Sequence, residues 1–148
     1  MPILKKEVEA APAGHPTYSE VFPCVPSTAE AGRRLVRGVL GMWHLDALAD
    51  RAELIVTELI ANASRHTPCP VIRLVVGRPS ETRVRVGIVD EEPSRLPELS
   101  HAGEEDESGR GLLLVEAVAD CWGCDLQIAR GRLRGKEVWA ELQTGSTE

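Results

Sequence analysis

The chain has 148 residues, 43% apolar and 27% charged, with a formal net charge of −6, which suits one globular domain with a real core and argues against a second. Its acidic balance and lack of any dense Lys/Arg block argue against a nucleic-acid surface, because phosphate backbones are held by clustered positive charge. No run of about eighteen apolar residues could span a bilayer and residues 1–13 lack a signal-peptide core, so neither a membrane nor export is expected and the cytoplasm is the expected location.

Residues 1–16 read as a loose tail rich in Ala, Pro and charge. Thr17 to Cys24 suits a short edge strand closed by Pro23 and Pro26. Ser27 and Glu30 have capping-box spacing and predict a helix to about Trp43 through Leu35, Val36, Val39 and Leu40. A second helix is predicted from about Asp46 to His66, stopping at Thr67-Pro68.

That second helix carries the most informative stretch. Glu58 and Asn62 are four residues apart and share a face, with His66 one turn on. Ala52, Ile55, Val56, Leu59, Ile60 and Ala63 form an apolar stripe beside them, while Asp50, Glu53, Thr57 and Ser64 lie on the far side. Asparagine is a weak helix former, so Asn62 next to a buried seam suggests that an oxygen ligand is wanted there. Magnesium accepts such a carbonyl beside phosphates and waters, and a nearby carboxylate can deprotonate an attacking hydroxyl. Solvated polar residues on an ordinary surface helix are the bland alternative.

Strands are predicted over Val71–Gly77 and Arg83–Asp90, joined by a turn at Arg78-Pro79-Ser80-Glu81. Glu91 to Gly111 then shows no apolar period, a length that in a compact domain usually marks a lid, a binding loop or a disordered segment. Its middle, Glu104 to Glu107, is acidic. Ser108-Gly109-Arg110-Gly111 opens a helix from Leu112 to about Asp120, and glycines before a helix N-terminus let backbone N–H groups approach an anion. Two last strands are predicted near Asp125–Ala129 and Glu137–Leu142. This order predicts an α+β fold, a two-layer sandwich whose mixed, mostly antiparallel sheet is covered by helices on one face. The four cysteines are sparse for a disulfide scaffold. Cys121 and Cys124 have CxxC spacing but no second ligand pair, so small buried side chains at a strand edge are preferred to a metal site.

Taken together, the Glu58…Asn62…His66 helix, the strand ending at Asp90 and the Ser108-Gly109-Arg110-Gly111 segment resemble the three signature boxes of the histidine-kinase/Hsp90-like (GHKL) ATPase family. The nearest branch in pattern is the short proteins similar to anti-sigma-factor serine/threonine kinases. The resemblance covers residues 17–142, leaving 1–16 and 143–148 as tails. It implies that Glu58 is the general base, that Asn62 binds Mg²⁺ bridging to the phosphates of ATP, and that Asp90 accepts a hydrogen bond from the adenine amino group. It further implies that Gly109 and Gly111 wrap the phosphates with Arg110 as an added contact. His66 matches a position often histidine in this branch. Two departures stand out: Glu91-Glu92-Pro93-Ser94 replaces glycines beside the base pocket, and Lys136 replaces a threonine that commonly contacts adenine.

Two functions follow from the resemblance. One is a protein kinase that binds a sigma factor and phosphorylates a small anti-anti-sigma-like partner. The other is a non-catalytic module, nucleotide-gated or nucleotide-free, that sequesters a regulatory partner. Relatives of this kind commonly pair as homodimers, although no stretch marks an interface.

Overall fold

The computed structural model describes residues 6–10, 16–66, 70–90 and 107–145, without the side chains of residues 6–10, 66, 107–111 and 129. Among the described residues six strands and three helices follow one another as β1 (Lys6–Ala10), β2 (Pro16–Pro23), α1 (Thr28–Met42), a 3₁₀ turn (Asp46–Leu48), α2 (Ala49–His66), β3 (Val71–Ser80), β4 (Arg83–Asp90), α3 (Glu107–Val118), β5 (Cys121–Ala129) and β6 (Arg132–Gln143). One sheet holds all six strands in the order β1-β2-β3-β4-β6-β5. Every pairing is antiparallel, so the sandwich is as expected but the sheet is not mixed. Among the described residues no helix is long and apolar enough to cross a membrane.

Period-2 alternation decides which face the helices cover. Ile72, Leu74 and Val76 of β3, Val84, Val86 and Ile88 of β4, and Val138, Ala140 and Leu142 of β6 are all buried. Against them lies the α2 stripe of Ala52, Ile55, Val56, Leu59, Ile60 and Ala63, with Leu35, Val36, Val39 and Leu40 of α1 completing one core. The other sheet face is charged. Arg83 pairs with Glu141 at 2.8 Å, Arg85 reaches Asp125 at 3.0 Å and Glu141 at 3.3 Å, and the Arg85 guanidinium lies 4.1 Å over the Trp139 ring. These partly solvated pairs contribute at most about 1 kcal/mol each. They set strand register more than stability.

Several boundaries differ from expectation for local reasons. Lys6–Ala10 pairs with β2 instead of trailing as a tail, Val8 lying opposite Tyr18. Ser27 sits at the N-cap of α1 but in helical φ/ψ and without a capping bond; Thr28 Oγ instead donates to the Pro23 carbonyl at 2.7 Å. Strand β3 runs on to Ser80 through a register shift between Gly77 and Ser80, which takes in part of the expected turn. The β5–β6 hairpin is longer at both ends because its turn is tight, with Arg130 and Gly131 both at positive φ. Glu53 and Thr57 face α1 and not open solvent, since Arg37 binds Glu53 and Arg33 donates to Thr57 Oγ at 3.0 Å.

The turn from α1 into α2 fixes how the two helices cross. Leu45 N–H reaches the Leu40 carbonyl at 2.9 Å and His44 N–H the Gly41 carbonyl at 3.1 Å, the two bonds of a Schellman motif. Leu45 and Leu40 are both buried beneath it. The motif needs a left-handed residue after the C-cap, and His44 takes that position at φ 59°. A side chain there costs about 1 kcal/mol relative to glycine. His44→Gly is therefore expected to raise the urea midpoint, by about 0.5–1 kcal/mol in unfolding free energy after the added entropy of the unfolded chain is counted.

Candidate functional site

Connectivity gathers the sequence-predicted residues at one end of the sheet. Helix α2 ends at His66 and β3 begins at Val71, so the C-terminal turn of α2 and the start of β3 share that end. Strand β4 returns antiparallel, with Arg73 opposite Val89, which brings Asp90 back to it. Strand β6 crosses β4 antiparallel and sets Lys136 opposite Asp90. Helix α3 packs along α2, and Arg51 near the start of α2 donates to the Val118 carbonyl at the close of α3 at 3.4 Å. The two helices therefore run oppositely, and the first turn of α3, with Gly109, Arg110 and Gly111, faces the end where Glu58 and Asn62 lie.

On α2 the residues Glu58 and Asn62 flank the apolar stripe as the spacing predicts. Asn62 is 9% exposed, and no hydrogen bond to a described residue holds its carboxamide. That leaves its carboxamide with hydrogen-bonding capacity that a ligand could use. Glu58 is half-buried. Burial pushes its carboxyl above the usual carboxylate range, with the Arg65 guanidinium pulling the other way. A carboxylate of raised basicity next to an amide oxygen suits a proton acceptor beside a metal-bound phosphate. Among the described residues no three His, Cys, Asp or Glu side chains converge. A metal held by these residues would thus take Asn62 as one oxygen ligand, the rest coming from phosphates and water.

Asp90 and Lys136 form the other half of the site. Lys136 Nζ donates to Asp90 Oδ1 at 3.0 Å, and both residues are 3% exposed. The alternation that buries Ile88 and Val138 also places Asp90 and Lys136 on the helix-covered face. An unpaired charge there would cost several kcal/mol, and this ion pair is one of the contacts that offset it. Leu126 lies opposite Lys136 on β5 and keeps nearly half its surface exposed. Cys124, on the same face, has its thiol pushed up by burial, with Lys136 opposing. Reading the sequence marked Lys136 as a departure but missed its partnership. The signal was present: Lys136, Val138, Ala140 and Leu142 alternate on one face, and a lysine on a buried face demands a counter-ion.

The Gly-Arg-Gly segment calls for a correction. Gly109, Arg110 and Gly111 lie within the first turns of α3, which begins at Glu107, and not in a loop preceding a helix at Leu112. Counted from Glu107, the Gly109 N–H falls among the first donors that lack an intrahelical acceptor, whereas the Gly111 N–H, four residues in, does not. Residues 91–106 of the expected 91–111 lid, including Glu91-Glu92-Pro93-Ser94, and the His66 side chain lie outside the described residues. Cys121 and Cys124 sit three apart on a strand and so point to opposite faces, Cys121 toward Arg83 and Glu141 and Cys124 toward the core. Cys121 is exposed, not buried as expected.

A family model described as histidine kinase-like ATPase domain matches residues 22–141. An uncharacterized protein of Streptomyces coelicolor is 41% identical over 81 residues, which cover 53% of this chain and 73% of that one.

Two outcomes follow from the geometry. Glu58 binds its proton more tightly in the folded than in the unfolded chain, so folding stability falls as pH rises from about 4.5 through the folded value. Glu58→Gln is expected to remove that slope, so that its stability gain over wild type is absent near pH 4 and grows toward pH 7 in urea titrations. Lys136→Met removes one side of a buried ion pair and is expected to cost about 3–5 kcal/mol, whereas Asp90→Asn with Lys136→Met, carrying no charge, recovers most of that loss by the same measurement.

Proposed function

The chain belongs to the histidine kinase-like ATPase domain family, and on that footing we propose that it is an ATP-binding regulatory protein acting as a serine/threonine protein kinase on a small anti-anti-sigma-like partner while holding a sigma factor. The observation that carries this reading is the placement of a half-buried Glu58 of raised basicity beside Asn62, at the sheet end that also holds Asp90 and the start of α3.

In this reading Asp90 accepts the adenine amino group, and the N-terminal turns of α3 with Gly109, Arg110 and Gly111 face the phosphates. Asn62 holds Mg²⁺, whose chemistry when bound is to neutralise charge on the phosphates. Glu58 accepts the proton of the partner's serine hydroxyl as its oxygen bonds to the γ-phosphorus and the bond to the leaving ADP oxygen breaks. Positioning and charge supply most of the rate, because phosphoryl transfer needs little covalent help from the protein. The apolar stripe of α2 matters here, since it locks the rotation of the helix that carries both groups.

A second reading, a non-catalytic module whose grip on a partner depends on nucleotide or dispenses with it, is favoured by the Asp90–Lys136 pair. That pair satisfies Asp90 without any base present. Partner binding that survives in Glu58→Ala, with no phosphate transfer even by wild type, would select this reading.

Thermal unfolding with ADP or ATP, each with and without Mg²⁺, tests the nucleotide site. At one hundred times its dissociation constant a ligand specific for the folded state adds about 2.7 kcal/mol, and Asn62→Ala is expected to remove the Mg²⁺-dependent part. With labelled ATP and an anti-anti-sigma-type protein, Glu58→Ala is expected to keep nucleotide binding and lose about 10²–10⁴-fold in phosphate transfer. Absence of any shift at millimolar nucleotide would sink the nucleotide reading.

A further inference from the structure

Strand β5 closes one edge of the sheet, with β6 on one side and no strand beyond it among the described residues. The outward backbone N–H and C=O groups of such a strand are a template for another extended chain, and edges are commonly blunted by proline, lysine, shortness or a bulge. Strand β5 runs nine residues without Pro or Lys. Its one charged side chain, Asp125, is tied back to Arg85 at 3.0 Å. The register shift near its end leaves the extra residue, Arg134, in β6, so β5 itself stays continuous.

The hairpin that ends β5 adds chemistry to this edge. Leu126 and Ile128 are two apart and share a face, and Leu133 lies opposite Ile128. They keep 46%, 66% and 45% of their surface exposed. The same hairpin carries Arg130, Arg132 and Arg134, all exposed. Among the described residues these three have no hydrogen bond, ion pair or ring contact. Every other arginine whose side chain is described has one, from Arg33 on Thr57 to Arg83 and Arg85 on Glu141. In a chain of net charge −6, three cations left unneutralised within 130–134 are the complement of an acidic ligand.

We propose that the outer edge of β5 and the tip of its hairpin take an extended, acidic segment of a partner protein as an added strand. Main-chain hydrogen bonds to β5 supply affinity, aliphatic side chains cover Leu126, Ile128 and Leu133, and carboxylates pair with Arg130, Arg132 and Arg134. A second copy of this chain fits worse, because antiparallel pairing of two β5 strands in full register sets Asp125 against Asp125. Nucleic acid finds no aromatic side chain to stack on within 126–134. An anionic membrane would take the cations but leave the outward backbone of β5 unused. Glu58, Asn62 and Asp90 take no part, so the inference goes beyond the nucleotide reading and stands or falls without it.

The test selects a displayed library of random peptides, long enough to match β5, on the full chain. The recovered peptides are then synthesised and titrated. Expected are peptides that combine alternating aliphatic residues with a cluster of Asp or Glu, and whose binding weakens with added salt. Hydrogen exchange with a bound peptide should slow the β5 amides that face away from β6. Arg130→Ser with Arg132→Ser and Arg134→Ser should weaken binding about tenfold or more. Those side chains are exposed and unpartnered, so thermal unfolding of the variant should match wild type. Ile128→Thr with Leu133→Thr, a second variant at exposed positions, should weaken binding as well. Peptides with no acidic bias, affinity indifferent to the arginine variant, or protection on an element other than β5 each overturn the inference. So does a library that yields no peptide protecting β5. Phosphatidylserine vesicles are run in parallel, and arginine-dependent vesicle binding without such a peptide assigns the patch to a membrane surface instead. A β5-mediated dimer seen by light scattering, with β5 protected in the absence of peptide, assigns the edge to a second copy and overturns the inference too.

Discussion

The rotation of α2 about its own axis is the constraint on which the site depends. Ile55, Val56 and Ile60 are fully buried between the sheet and α1, and turning the helix by even one residue's angle would drive Glu58 or Asn62 into that core. The cost of burying either without a partner is several times the thermal energy, so the orientation is held without any bond made by the functional side chains themselves. That division of labour leaves Glu58 and Asn62 with unspent hydrogen-bonding capacity. The short link between His66 and Val71 then ties this helix end to one end of the sheet, and the antiparallel return of β4 delivers Asp90 there.

Two carboxylates at the same end of the fold are treated in opposite ways. Asp90 is buried with a cation in hydrogen-bonding contact, whereas Glu58 is half-buried with Arg65 acting only at a distance and burial prevailing. The first environment fixes the side chain's position; the second makes the carboxyl a better proton acceptor. The roles proposed for them, recognising a base and accepting a proton, need those two conditions respectively.

Much of this arrangement was legible in the sequence because it rests on periodicity. The α2 stripe, the alternation in β4 and its end at Asp90 follow from the residues one by one. What escaped depends on long-range context. The β1 strand is short and unremarkable alone, and becomes a strand by pairing with β2. The start of α3 was misplaced because Gly109 and Gly111 are poor helix formers, yet packing of α3 on α2 draws the helix back to Glu107. The lysine at 136 was visible, but its bond to Asp90 needs the register of two strands that lie some forty-six residues apart in sequence. Local rules do not reach that far.

The ion pair also bears on why catalysis and regulation could share one site. In a protein whose base-reading carboxylate had no internal partner, the unliganded state would carry a buried charge and would favour whatever ligand relieved it. Here Lys136 supplies that relief in advance, so the unliganded protein is stable in its own right and ligand binding draws less energy from Asp90. In the proposed reading, affinity is thereby moderated at the base while Asn62 and the helix N-terminus remain available to the phosphates. In that reading such a site would respond to nucleotide with a modest bias between states, which suits a regulator that must release its partner as well as hold it.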